Sequence, residues 1–160
     1  MGERLLQVGV GDPAFSGALA AKVGLSGTSV IVVPDTAGRA RADRAVSAAG
    51  TLVDVTEAPL DRLPMNEASF DVVVVHAETE PDLGGADVAA LRQCHRVLRT
   101  GGRLLLVTAG APTGLKALLK SAPQASAGEA ALAALGSAGF RPVREVGELE
   151  GLRFTEGLRS

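Results

Sequence analysis

Short, continuous apolar runs rich in β-branched residues alternate along the chain with longer alanine-rich stretches whose charges recur at helical spacing. Strands buried on both faces read as unbroken apolar runs, and the helices that cover them as one-sided stripes. The alternation therefore predicts an α/β sandwich, a largely parallel sheet with helices on both faces. The first strand is predicted over Leu5 to Val10, then a turn at Gly9 to Pro13 and a helix from Ala14 to Val23. Asp12 is placed to cap that helix, and Pro13 fits its first turn, where a missing N–H leaves nothing unpaired. A second strand, Ser29 to Val33, leads into a helix from Gly38 to Ala49 that Gly50 ends, and Thr51 to Val55 is a short third strand.

A loop from Pro59 to Ser69, with Pro64 at its centre, leads into a strong fourth strand over Phe70 to Val75. The helix predicted for Ala86 to Leu98 carries Val88, Leu91, His95 and Leu98 on one stripe, with Arg99 near its negative end. Gly101 and Gly102 are expected to stop it and to lead into a fifth strand, Arg103 to Thr108. Gly110, Pro112, Gly114 and Pro123 break the stretch from Ala109 to Ser126, within which Leu115 to Lys120 is a candidate short helix. Gly128 to Ala138 is a further helix, and Phe140 to Val146 and Leu152 to Thr155 are candidate strands joined near Gly151 as an antiparallel pair. Without an internal repeat or a linker, the 160 residues are expected to form a single domain, 1–160.

Composition narrows the function classes. With 16 basic and 18 acidic residues the formal charge is −2, which gives no general attraction to nucleic acid or to an anionic membrane. The only aromatic residues counted are 4 Phe, too few for base-stacking platforms or an aromatic cage. Cys94 is the only cysteine, so no intrachain disulfide is possible, and two distant histidines make no metal-ligand cluster. No long apolar segment occurs near Met1 to Leu6, and the expected location is the cytoplasm.

In an open α/β sheet a ligand binds beyond the carboxyl ends of the strands, where strand order reverses. Gly9 and Gly11 follow the first strand, where glycine permits a tight turn and close approach of a ligand to the backbone. Gly11-Asp12-Pro13 suits a pyrophosphate poorly, because Asp12 adds negative charge at the helix N-terminus and Pro13 removes a donor amide; a dinucleotide is disfavoured. Asp35 directly follows the second strand, where a carboxylate either accepts ribose hydroxyls or caps the next helix. Arg39, Arg41 and Arg44, interrupted by Asp43, read as a solvated helix face.

His76, followed by Glu78, Glu80 and Asp82, ends the fourth strand and is the candidate catalytic base, against the plainer reading of a polar rim residue. His95 and Cys94, within a helix, read as packing residues. No serine elbow and no Walker-type lysine are present.

Four segments in order, Leu5-Leu6-Gln7-Val8-Gly9-Val10-Gly11, Val32-Val33-Pro34-Asp35, Leu63-Pro64 through Ser69-Phe70-Asp71-Val72-Val73, and Arg96-Val97-Leu98-Arg99-Thr100-Gly101-Gly102-Arg103-Leu104, resemble the successive motifs of class I S-adenosylmethionine-dependent methyltransferases. The resemblance implies a Rossmann-like three-layer sandwich whose seven-stranded mixed sheet has the order 3-2-1-4-5-7-6. It implies S-adenosylmethionine as cofactor, with Gly9 and Gly11 near its methionine and ribose parts, Asp35 on the ribose hydroxyls and Leu63 in the loop bordering the adenine. His76 then lies just beyond the strand end that faces the transferred methyl.

The chain also departs from the family pattern. Gln7 stands where the first motif usually has an acid, Pro13 replaces a third glycine, and Pro59 occupies a position commonly acidic. Helices that often precede the first strand have no counterpart before Leu5. Loss of one buried charged hydrogen bond costs about 1.5–3 kcal/mol, so these departures bear directly on cofactor affinity. Two function classes follow: methyl transfer to a small-molecule or protein acceptor, or a cofactor-free methyltransferase-like domain used in protein interaction. In either case a protein partner or a second copy is a candidate cover for the open cleft.

Overall fold

The computed structural model describes residues 2–23, 26–79, 87–110 and 127–160. Strand β1 (Arg4–Val8) lies at the centre of the sheet, parallel to β2 (Thr28–Val33) on one side and β4 (Phe70–His76) on the other. Beyond them, β3 (Asp54–Glu57) pairs with β2, and β5 (Leu98–Ala109) with β4. The antiparallel pair β6 (Val143–Leu149) and β7 (Leu152–Leu158) completes seven strands in the order β3-β2-β1-β4-β5-β7-β6, the order the resemblance implies. Helices α1 (Pro13–Lys22), α2 (Thr36–Ala49), α3 (Val88–Val97) and α4 (Ala127–Ala138) cover this sheet.

Alternation along the strands divides the core between the two faces. Leu6 and Val8 of β1, Val73 and Val75 of β4, and Leu104 and Leu106 of β5 face Leu91, Cys94 and Leu135 of α3 and α4. On the opposite face Leu5, Val74 and Val107 pack with Phe15 and Leu19 of α1. Ile31 and Val33 meet Ala42 and Ala45 of α2. The alanines set a close helix-to-sheet distance, and the buried Gly38 brings α2 nearer still: a Cβ there would lie 2.9 Å from Val33 Cβ.

Of the boundaries that differ from the sequence reading, three follow from distant contacts or from a local turn. The third strand occupies Asp54–Glu57 rather than Thr51 to Val55. Gly50 ends α2 in the left-handed conformation, and the ladder with β2 begins only at Val30 and Asp54, leaving Leu52 almost fully exposed. Helix α3 ends at Val97, before the glycines expected to stop it, because Leu98 is already extended and its neighbours turn back to pair with the C-terminal strand. The amide of Gly101 donates to Arg159 O at 2.7 Å, and the Arg159 amide to Gly102 O at 2.9 Å. Phe140, expected to open a strand, lies before it in the core, and β6 begins at Val143. The candidate helix at Leu115 to Lys120 lies outside the described residues.

A residue distant in sequence finishes α3. The guanidinium of Arg159, itself only 16% exposed, donates to the carbonyls of His95 at 3.1 Å and Arg96 at 2.8 Å, and also to Leu98 O. These are carbonyls a helix leaves unpaired at its C-terminus. Arg159→Ala is expected to lower stability by about 2 kcal/mol, read from denaturant unfolding.

The same substitution reports on His95, whose ring meets Phe140 edge-on at 5.0 Å. Burial, and then the Arg159 charge, hold the His95 pKa below the ordinary 6.5, while a hydrogen bond with the Gly139 backbone opposes them. The unfolded chain therefore binds the proton more readily than the native state. This contribution to stability is complete above pH 6.5 and is lost as pH falls through the lower native pKa. In an NMR titration Arg159→Ala should raise that pKa; a further fall would contradict the assignment.

No helix among the described residues is long and apolar enough to cross a membrane. Cys94 is fully buried and its thiol is pushed up to about 12, which leaves it protonated at neutral pH.

Candidate functional site at the carboxyl ends of the central strands

The chain leaves β1 toward β2 and β3 on one side and returns to β4 on the other, so strand order reverses between β1 and β4. The crevice beyond their carboxyl ends is where this topology binds ligands. Gly9 carries β1 into the first turn with φ +76°, a conformation costly for residues with a Cβ, and its amide donates to Val32 O at 2.8 Å. Thr79 Oγ1 donates to Val10 O at 2.8 Å, tying the turn after β4 to the turn after β1. The backbone at the switch point is thus bonded across β2, β1 and β4.

His76, the last residue of β4, is fully buried. Its Nε2 lies 3.0 Å from Gln7 Oε1, its Nδ1 lies 3.2 Å from Glu78 Oε1, and Phe15 meets the ring edge-on at 6.0 Å. Gln7 Nε2 donates to Ser16 O at 3.0 Å, which turns Gln7 Oε1 toward the imidazole and makes Nε2 the donor; Nδ1 donates to Glu78 Oε1 only when the ring carries both protons. Gly11 lies directly against this cluster: a Cβ there would come within 2.5 Å of both His76 Nδ1 and Glu78 Oε1. Glu78 Oε2 is buried without a hydrogen-bond partner among the described residues.

The other sequence candidates take different surroundings. Asp35 Oδ1 accepts from the Gly38 amide at 2.7 Å and caps α2, while its second oxygen has no described partner. Asp12 accepts from the amides of Ala14 at 3.0 Å and Phe15 at 3.1 Å, which occupies the N-terminal donors of α1 with the protein's own carboxylate. A phosphate has neither free amides nor a favourable field at the start of α1. Leu63 is 3% exposed and packs in the core. Its carbonyl accepts from Arg96 Nη2 at 2.9 Å and that of Met65 from Nη1 at 2.9 Å, so α3 fixes the loop that precedes β4.

Glu80 and Asp82 lie outside the described residues. Among those described, no group of His, Cys, Asp and Glu is arranged to hold a metal.

Sequence reasoning treated Gln7 only as a departure from a motif and missed that it orients His76. The available signal was a polar side chain at an inward position of an apolar strand, since a buried amide requires partners.

A family model described as a methyltransferase domain matches residues 6–106, more than half of the chain. Among solved structures, a SAM-dependent methyltransferase from Aquifex aeolicus is 18% identical with a TM-score of 0.76, the match covering 99% of this chain and 82% of that one. A SAM-dependent methyltransferase from Thermotoga maritima, described as a possible histamine N-methyltransferase, is 20% identical with a TM-score of 0.65 over 99% of this chain and 82% of that one. PigF with SAH is 17% identical with a TM-score of 0.69 over 99% of this chain and 51% of that one. The chain likewise spans only 50% and 49% of two other similar structures. No curated protein matches it. At these identities the solved structures establish the fold, and the family model supplies the membership: the chain belongs to the class I S-adenosylmethionine-dependent methyltransferases.

Proposed function

We propose that residues 1–160, as one domain, bind S-adenosylmethionine beyond the ends of β1, β2 and β4 and transfer its methyl group to an acceptor nucleophile. The observation that carries this reading is the switch point itself. The Gly9 to Gly11 turn, the unengaged oxygen of Asp35 and the buried, partnerless oxygen of Glu78 belong to one end of the sheet in a methyltransferase-family fold. A buried carboxylate oxygen without a donor is costly, and a cationic ligand group would supply one to Glu78 Oε2.

When bound, S-adenosylmethionine would supply an electrophilic methyl group, with S-adenosylhomocysteine as the leaving product. The protein's task is alignment, because near-attack positioning removes much of the barrier to such a displacement. Asp35 would hold the ribose hydroxyls, and Gly9 and Gly11 would let the ligand approach the backbone. Leu63 would act through the loop that Arg96 holds, as support for the wall beside the adenine. His76, enclosed between Gln7 and Glu78, enters as a positioning residue; exchanging a proton with an acceptor would require one of those contacts to open. Acceptors compatible with the reading are a small molecule or a protein side chain, and a cytoplasmic location is part of the same proposal.

A second reading, a cofactor-free interaction domain, draws on a different feature. An open groove of about 320 Å³ on the α1 side of the sheet has a floor that includes Leu5, Leu19, Val72, Val74 and Leu105. A protein partner or a second copy would cover such a surface.

Calorimetric titration with S-adenosylmethionine and S-adenosylhomocysteine separates the two. Saturable micromolar binding is expected; no heat at millimolar ligand would refute the cofactor reading and favour the interaction domain.

A further inference from the structure

We propose that the Glu78 carboxylate receives the α-ammonium group of the cofactor's methionyl part, supplying from the end of β4 the negative charge that Gln7 does not supply from β1. The assignment rests on the cofactor reading given above.

Three observations converge on it. The Glu78 side chain is only 9% exposed, and its Oε2 has no partner among the described residues, while Oε1 lies 3.2 Å from His76 Nδ1. A desolvated carboxylate oxygen of this kind calls for a donor, and an ammonium provides up to three N–H groups together with the compensating charge. Second, Glu78 stands against Gly11, in the turn proposed to approach the amino-acid end of the cofactor; a Cβ on Gly11 would reach Glu78 Oε1 at 2.5 Å. Third, Gln7 has both ends of its amide committed, Nε2 to Ser16 O and Oε1 to His76 Nε2. It is neutral and already engaged, so it cannot take the role of an acid at its position.

The same bonds give Gln7 a different task. Ser16 O orients Gln7 and Gln7 orients His76, whose Nδ1 lies 3.2 Å from Glu78 Oε1, so one packed cluster runs from α1 through β1 to the end of β4. Phe15 closes the edge of the imidazole and excludes water from it. Glu78 is therefore held in one rotamer before any ligand arrives, so little side-chain entropy is lost on binding. Gly11 is needed because only the absence of a side chain lets His76 and Glu78 pack against that turn.

The test compares S-adenosylhomocysteine with 5′-methylthioadenosine, which shares the adenosine and the thioether but lacks the amino-acid end. Calorimetry on the wild type and on Glu78→Gln, a near-isosteric change, should show S-adenosylhomocysteine binding weakened about ten- to thirty-fold and methylthioadenosine binding unchanged. Unchanged methylthioadenosine affinity also reports that the variant is folded. If Glu78→Gln binds S-adenosylhomocysteine as the wild type does, or if both ligands weaken equally, the assignment is overturned while the cofactor reading stands. If the wild type binds neither ligand, the cofactor reading falls and this assignment falls with it.

Discussion

Asp35→Ala is expected to weaken S-adenosylhomocysteine binding about a hundred-fold and to lower stability by about 1 kcal/mol, because one side chain performs two separable tasks. Its Oδ1 accepts the Gly38 amide at 2.7 Å and caps α2, and its other oxygen is available at the end of β2. An N-cap lost to alanine costs about 0.5–2 kcal/mol, most of it local to the first turn. The proposed ribose contact contributes more, since a hydrogen bond to a charged group is worth about 1.5–3 kcal/mol. A factor of a hundred corresponds to about 2.8 kcal/mol, within that range.

Asp35→Asn separates the tasks. The amide oxygen still caps α2, so unfolding should stay within about 0.5 kcal/mol of wild type, while removal of the charge should weaken binding at least about ten-fold. Calorimetry and denaturant unfolding on the same samples provide both numbers. Wild-type affinity in Asp35→Asn would confine Asp35 to capping.

The largest stability effect is expected at Phe140. It is fully buried and the bulkiest of the fully buried side chains described. Its ring meets His95 of α3 edge-on, and a Cβ on Gly157 of β7 would come within 2.8 Å of Phe140 Cβ. The residue therefore joins α3 to the last strand just after α4 ends, and its own amide donates to Leu135 O at 3.1 Å.

Truncating a buried Phe to Ala removes its transfer free energy and leaves a cavity that the surroundings only partly fill, at a cost of about 3–5 kcal/mol. Against a typical domain stability of about 5–15 kcal/mol, that is a large fraction of the total. Urea unfolding should show a lower midpoint with an unchanged slope. A loss under about 1 kcal/mol would mean that the site is not packed as described.

Much of the fold was legible in the sequence because the signals are local and redundant. The run Phe70 to Val75 is apolar throughout, as a strand covered on both faces must be, and it lies within β4 of the observed sheet. Asp12 with Pro13 marked the start of α1, and Gly50 the end of α2, each through a conformational preference of the residue itself. The strand order came from resemblance rather than from periodicity, since the pattern of one strand does not name its neighbours.

Boundaries set by a distant partner were not legible. The start of β3 follows the register of β2, and the junction of α3 with β5 depends on Arg159, whose guanidinium completes the helix from the far end of the chain. The candidate site divides along the same line. Gly9, Gly11, Asp35 and His76 could be named as candidates because each lies at or shortly beyond the end of a strand that the sequence marks.

What the sequence by itself determined was the succession of strands and helices and the residues at the strand ends, because these depend on near neighbours and on which faces are apolar. The tertiary structure alone decided that Leu63 is core rather than surface and that Gln7, His76 and Glu78 form one hydrogen-bonded unit against Gly11. Those contacts join residues far apart in the chain, and they form only once the sheet has set β1 beside β4.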